Sequence, residues 1–185
     1  NQNINSWYVS NVTTMNQMFY QADRFNQPIG NWDVSSVTDM SNMLGSTFGS
    51  TTSFNQDINS WDVSNVTDMG GMFGFNEAFD QPLGSWDISS VTSVSSMFYR
   101  ATSFNQNINN WDVSNLTSMV NMFREATSFN QDISSWDVGN VTNMGSMFRS
   151  ASSYNQNLSS WDVVSVTICG NFSTDATSWT LPQPN

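Results

Sequence analysis

The chain contains no histidine and no lysine, a single cysteine (Cys169) and only four arginines (Arg24, Arg100, Arg124 and Arg149). Each scarcity removes a class of function. Histidine-dependent triads have no base, the usual zinc sites lack ligands, and no internal disulfide can form. Against the four cations stand 15 acidic residues, for a net charge of -11. Nucleic acid and anionic lipid would therefore be repelled over most of the surface and are not expected as partners. No apolar run approaches the roughly 18 residues of a membrane span, so this segment is not expected to insert into a membrane. No basic stretch followed by an apolar one opens the sequence. The chain starts inside a repeat, at Asn1-Gln2-Asn3-Ile4, from which an upstream continuation is expected.

What the chain does have is a period. Tryptophan recurs at Trp7, Trp32, Trp61, Trp86, Trp111, Trp136 and Trp161, every 25 residues except for one interval of 29. A fixed spacing in this range marks an array of stacked repeats. Within one unit the apolar positions are Phe104, Ile108, Trp111, Val113, Leu116, Met119, Met122 and Phe123. Steps of three dominate, with one step of two at Trp-x-Val, so neither one long helix nor one alternating strand fits the whole unit. Trp-Asp-Val reads as a short strand, and the Met-x-x-Met-Phe arc as turns or a short helix. The four extra residues fall in the Gly/Ser/Thr stretch Leu44 to Ser53, expected to bulge as a loop. The last copy decays over 164–185, as the capping unit of an array does.

The pattern Ile-x-x-Trp-x-Val-x-x-Val-Thr-x-Met-x-x-Met-Phe-x-x-Ala, whole at Ile133 to Ala151, resembles a variant of the leucine-rich repeat. More closely, Phe129 to Met144 (FNQDISSWDVGNVTNM) is similar to the BspA-type leucine-rich repeats of bacterial and protist surface proteins, the lipoprotein-associated 25-residue repeats. The resemblance spans essentially the whole chain. It implies a parallel-strand solenoid, a cell-surface or secreted location, and adhesion or recognition as the role. It implies no particular ligand.

Several columns carry polar groups. Eleven methionines occupy two columns and read as core filler, as does Cys169, which stands in one of them. The asparagine column (Asn1, Asn26, Asn55, Asn105, Asn130, Asn155, with Asp80) and the glutamine beside it read as amide ladders, with a glycan site as the rarer alternative. The unbroken threonine column reads as turn capping, with an ice- or mineral-binding row as the rarer alternative. The sharpest feature is an aspartate column: Asp33, Asp62, Asp87, Asp112, Asp137 and Asp162. Lying between inward Trp and inward Val, each carboxylate is expected on the outer face. Neighbouring carboxylates about 4.8 Å apart repel. Capping of backbone N–H groups offsets this in the leading reading, a calcium row in another, and a basic or hydroxyl-rich partner in a third. A two-carboxylate glycosidase is the one enzymatic alternative, and no pair stands out as its pocket.

The expectation is thus one repeat-solenoid domain over 1–185, of seven units of about 25 residues. It would be a leucine-rich-repeat-like right-handed coil, with short parallel β-strands forming one sheet and turns or short helices on the convex side. No catalytic residue and no cofactor is expected, calcium apart. The six aspartates would form an acidic sheet face that binds a protein or glycan at the cell surface. A structural spacer in a larger surface protein is the rival role.

Overall fold

The computed structural model describes residues 2–184, so Asn1 of the asparagine column lies outside the described residues. Repeats stack one upon the next, but the elements that build them are turns. Among the described residues there is no helix and no sheet; the only strand-like pairs are single parallel bridges, Thr14 to Asp39, Asp39 to Asp68, Asp68 to Ser93, Ser93 to Ser118, Ser118 to Asn143 and Asn143 to Ile168. The leucine-rich-repeat solenoid with a strand face and a helical back is therefore not what forms. Trp-Asp-Val, expected as a strand, is a short extended link between two tight turns, closed by Trp111 N–H to the Ile108 carbonyl and Leu116 N–H to the Val113 carbonyl.

The reason lies in the steps of three. A hydrogen bond between apolar residues three apart closes a turn and aims both side chains inward, and the rung repeats this device: Met119 to Met122, Phe123 to Ala126 and Ala126 to Phe129 are joined in the same way. A helix cannot grow from these turns, because residues inside them adopt left-handed φ, for example Asn42 (55°), Ser96 (60°) and Asn121 (56°) in one column and Phe75, Arg100 and Glu125 in another. A turn whose third residue is left-handed favours glycine or asparagine there, and the first of these columns supplies Asn42, Gly71, Asn121 and Asn171. Such turns come too often for any rung segment to run straight long enough to count as a strand.

Rungs are still hydrogen-bonded to one another. On the methionine arc alternate amides reach the next rung: Met119 to the Asn143 carbonyl, Asn121 to Gly145, Phe123 to Met147 and Glu125 to Arg149. Inside, one continuous cluster runs from Ile4 to Trp179 and contains the Trp, Val, Met and Phe columns. Stacked rings carry it along the array: Phe98 and Phe123 lie 5.6 Å apart at 1°, and Trp111 and Trp136 6.4 Å apart at 6°. Each indole from Trp32 to Trp161 donates Nε1–H to the Ile or Leu carbonyl of the preceding rung at 2.9 to 3.2 Å. A buried polar tip thus finds its partner.

The ends differ from the middle. Trp7 is half exposed, with no described rung beneath it. At the other end Trp179 takes the phenylalanine slot and packs edge-on against Tyr154 at 4.7 Å. Val164 and Ile168 stay exposed there, and so does Cys169, which was expected to be buried filler. Its column is buried only where a following rung covers it. No helix of the described residues is long and apolar enough to cross a membrane.

Candidate functional site: the aspartate ridge

The extended Trp-Asp-Val link buries its first and third side chains and exposes its second. Accordingly all six aspartates, Asp33, Asp62, Asp87, Asp112, Asp137 and Asp162, are exposed in one column along the stack. Because no sheet forms, this column is a ridge of turns and not the acidic sheet face expected from the sequence. In the first rung Tyr8 stands in the same column, 85% exposed.

Every ridge carboxylate closes the turn that follows it. Oδ1 of Asp33, Asp62, Asp87 and Asp112 accepts the backbone N–H of Ser35, Ser64, Ser89 and Ser114; Asp137 and Asp162 accept from Gly139 and Val164, all at 3.0 to 3.2 Å. The hydroxyls of Ser35, Ser64 and Ser114 add a second bond to the same oxygen at 2.6 to 2.7 Å. This is the side-chain turn that Asp forms with the amide two residues on. The Ser114 hydroxyl, and then its amide, hold the Asp112 carboxyl below the ordinary carboxylate value, while slight burial and the neighbouring Asp87 charge oppose them. Ser35 does the same for Asp33. One oxygen per residue is therefore committed to the fold. Oδ2 makes no hydrogen bond among the described residues.

The ridge is held firmly. Nδ2 of Asn65, Asn115 and Asn140 donates to the carbonyls of Ser35, Ser89 and Ser114 one rung back. Beside it Ser60, Asn110, Ser135 and Ser160 bridge to the preceding rung in the same manner. Among the described residues no three acidic or cysteine side chains come together to hold a metal ion.

The asparagine column is a ladder: Oδ1 of Asn105 accepts both Asn130 N–H and Gln131 Nε2–H at 2.9 Å, and Asn26, Asn55, Asp80 and Asn130 repeat the pattern. The threonines act differently from the turn caps expected of them. Hydroxyls of Thr38, Thr67, Thr92, Thr142 and Thr167 donate to the threonine carbonyl of the preceding rung, so they tie rungs together.

A family model described as "Mycoplasma protein of unknown function, DUF285" matches residues 1–73, 44–119 and 74–183. The chain belongs to this family. Three overlapping matches are what a DUF285 array of like rungs gives. No curated protein and no solved structure matches the chain.

Sequence reasoning missed two things in this DUF285 chain. Two further columns make the same side-chain turn as the ridge, one through Asp57, Asn107, Asp132 and Asn157, the other through Asp39, Asp68 and Asn143. Their spacing, a carboxylate or amide two residues before a small polar residue, was there to be read. The second is a break in the pattern around the long interval, where Phe48, Phe75, Tyr99 and Arg100 gather. Arg100 lies 5.5 Å from the rings of both Phe48 and Phe75 and pairs with Glu77 and Glu125. Comparing the columns that follow the conserved-spacing phenylalanine would have exposed it.

Proposed function

We propose that the chain is a non-enzymatic recognition module that acts at a cell surface, contacting a basic or hydroxyl-rich protein or glycan along the aspartate ridge. One observation supports the reading: each ridge aspartate gives Oδ1 to its own turn while its Oδ2 makes no hydrogen bond among the described residues, over six consecutive rungs. Rigid, evenly spaced acceptors suit an extended ligand, because little side-chain freedom is lost on binding. The surface location rests on the resemblance to BspA-type repeats. A spacer role for the same array needs no free Oδ2, and that is why recognition is preferred.

The test replaces Asp87, Asp112 and Asp137 together by Asn. Asparagine keeps the Oδ1 acceptor, as Asn107 and Asn157 show in the neighbouring column, and removes the charge. The triple variant is expected to fold with a small loss of stability, since the Ser89 and Ser114 hydrogen bonds that favour the ionised Asp87 and Asp112 outweigh the mutual repulsion of the carboxylates. On glycan and protein arrays it should lose the partners that the wild-type chain captures. Equal capture by both, or no capture by the wild type, refutes the ridge as a recognition surface and leaves the spacer.

A further inference from the structure

The longest interval between tryptophans and the strongest departures from the repeat occur at the same place, and that coincidence is the starting point. The column that follows the phenylalanine position reads Tyr20, Gly45, Gly74, Tyr99, Arg124. Two rungs without a side chain thus lie between two tyrosines, which stand three rungs apart, about 14 Å at about 4.8 Å per rung. The inserted loop 44–53 forms one wall of the resulting hollow. It is not a loose bulge: Ser50 Oγ donates to Asp23 Oδ1 at 2.6 Å, Ser53 Oγ to the Asp23 carbonyl at 2.8 Å, and buried Thr52 Oγ1 to the Leu44 carbonyl at 2.9 Å. The hollow has a volume of about 330 Å³, at the small end of ligand pockets.

The glycines have separate reasons. A Cβ on Gly45 would lie 2.4 Å from the Gly71 carbonyl oxygen, so packing alone demands glycine there. At Gly74 the nearest atoms would be 3.3 Å away, tight yet not closed, and glycine there keeps the floor low. Gly71, at φ 63°, is covered by the Asn42 side chain, whose Oδ1 would meet an added Cβ at 2.3 Å. In other rungs this column carries a serine or an amide. Glycine at 71 lets the Asn42 amide lie across the hollow, where it makes no hydrogen bond with a described residue.

A further observation points to a ligand. Ser46 lines the hollow, is only 7% exposed, and its hydroxyl has no hydrogen-bond partner. A buried unpaired hydroxyl costs stability and calls for an explanation. Above it Phe48 is 78% exposed, an unusual position for so large an apolar ring, and it meets Phe75 edge-on at 6.4 Å. Phe75 in turn meets Tyr99 at 4.7 Å. The lining holds no charged side chain. The Arg100 guanidinium lies against the Phe48 and Phe75 rings and is paired with two glutamates.

From these features we propose that the hollow between Tyr20 and Tyr99, walled by the inserted loop, binds a neutral pyranose ring. A lining of aromatic rings together with uncharged hydroxyl and amide groups matches a ligand with apolar C–H faces and a rim of hydroxyls. Phe48 stacks on the ring face; Ser46 and Asn42 bond to the hydroxyls. An anionic ligand would find no cation in the lining, and a purely apolar one would leave Ser46 unpaired. This site is separate from the aspartate ridge and stands whether or not the ridge binds anything.

The experiment is an NMR titration of the intact 185-residue chain with methyl α-glucoside, methyl α-mannoside, methyl β-galactoside, N-acetylglucosamine and lactose. Sugars are taken to about 20 mM, enough to saturate a millimolar site. At least one should shift the amides of Ser46, Phe48 and Tyr99. Phe48→Ala should weaken it about ten-fold or more. Ser46→Ala should weaken it about five-fold, the worth of one hydrogen bond, while its melting temperature equals or exceeds that of the wild type. That split separates a ligand role from a structural one. The Asp87/Asp112/Asp137→Asn variant should bind the sugar as the wild type does, so failure here and failure of the ridge are told apart. The proposal is overturned if no sugar moves these amides, or if Ser46→Ala and Phe48→Ala both bind normally.

Discussion

Tyr154→Phe should make this protein more stable, although it removes a polar group from a natural side chain. Tyr154 occupies the ring column filled elsewhere by Phe79, Phe104 and Phe129, all fully buried. Its ring stacks on Phe129 at 5.8 Å and 7°, and on Phe148 at 4.2 Å, so the aromatic contacts survive the change. The hydroxyl is buried without a hydrogen-bond partner. Leaving such a group unpaired costs about 1 to 3 kcal/mol. The void left by one oxygen returns only about 0.2 kcal/mol of that at about 24 cal/mol per Å³. Unfolding entropy near 2.1 cal/mol/K per residue over 185 residues is about 0.4 kcal/mol/K, so the net gain of about 0.8 to 2.8 kcal/mol raises the melting temperature by about 2 to 7 °C.

A pH arm sharpens the test. Burial, and then the Asp132 charge, push the Tyr154 phenol well above its ordinary value. A folded-state value above the unfolded one means full stability below the unfolded value, about pH 10, and a loss above it as the unfolded chain ionises. The advantage of Tyr154→Phe should therefore widen above about pH 10, by as much as about 1.4 kcal/mol per pH unit. Urea denaturation of both proteins at neutral pH and at about pH 11 measures it. A less stable variant, or a difference that does not grow with pH, would show that the hydroxyl is paired in solution and refute the reasoning.

Three further outcomes are expected. Trp111→Ala should cost about 3 to 5 kcal/mol in chemical denaturation, because it empties a core column and orphans the Leu83 carbonyl; wild-type stability would show that the indole is not core. Ser114→Ala should raise the Asp112 carboxyl toward its ordinary value by removing the larger of its two hydrogen-bond causes. A depressed carboxyl stabilises above its unfolded value, about pH 4, and that contribution is lost as pH falls through the folded one, so the variant should lose less stability on acidification; an unchanged Asp112 titration by NMR would contradict this. Deleting Phe104 to Ser128 in register should leave a shorter protein with a cooperative melt, whereas deleting twelve of those residues should not, since contacts join neighbouring rungs. Equal circular-dichroism melts would argue against a stack in which each rung contacts only its neighbours.

What the sequence determined by itself is the period and the sidedness. A 25-residue spacing of Trp, Val, Met and Phe places the same side chains over one another whatever backbone carries them, and burial of those columns follows from their apolar character. The exposure of the aspartates was legible for a similar reason: Asp112 lies between Trp111 and Val113, and an extended link of three residues can bury only its first and third. The turn acceptance by Asp could likewise be read from Asp-Val-Ser. The backbone conformation could not. Steps of three suit a short helix or a chain of turns equally well, and the choice fell to the left-handed residues at Asn42, Ser96, Asn121 and Arg100, a conformation imposed where alternate amides must reach the next rung. Nor could the sequence reveal that Gly45 and Gly74 open a gap between Tyr20 and Tyr99, or that Ser46 is buried without a partner. Those facts depend on which columns become neighbours across rungs and on where the inserted loop folds back, and only the packed structure decides that.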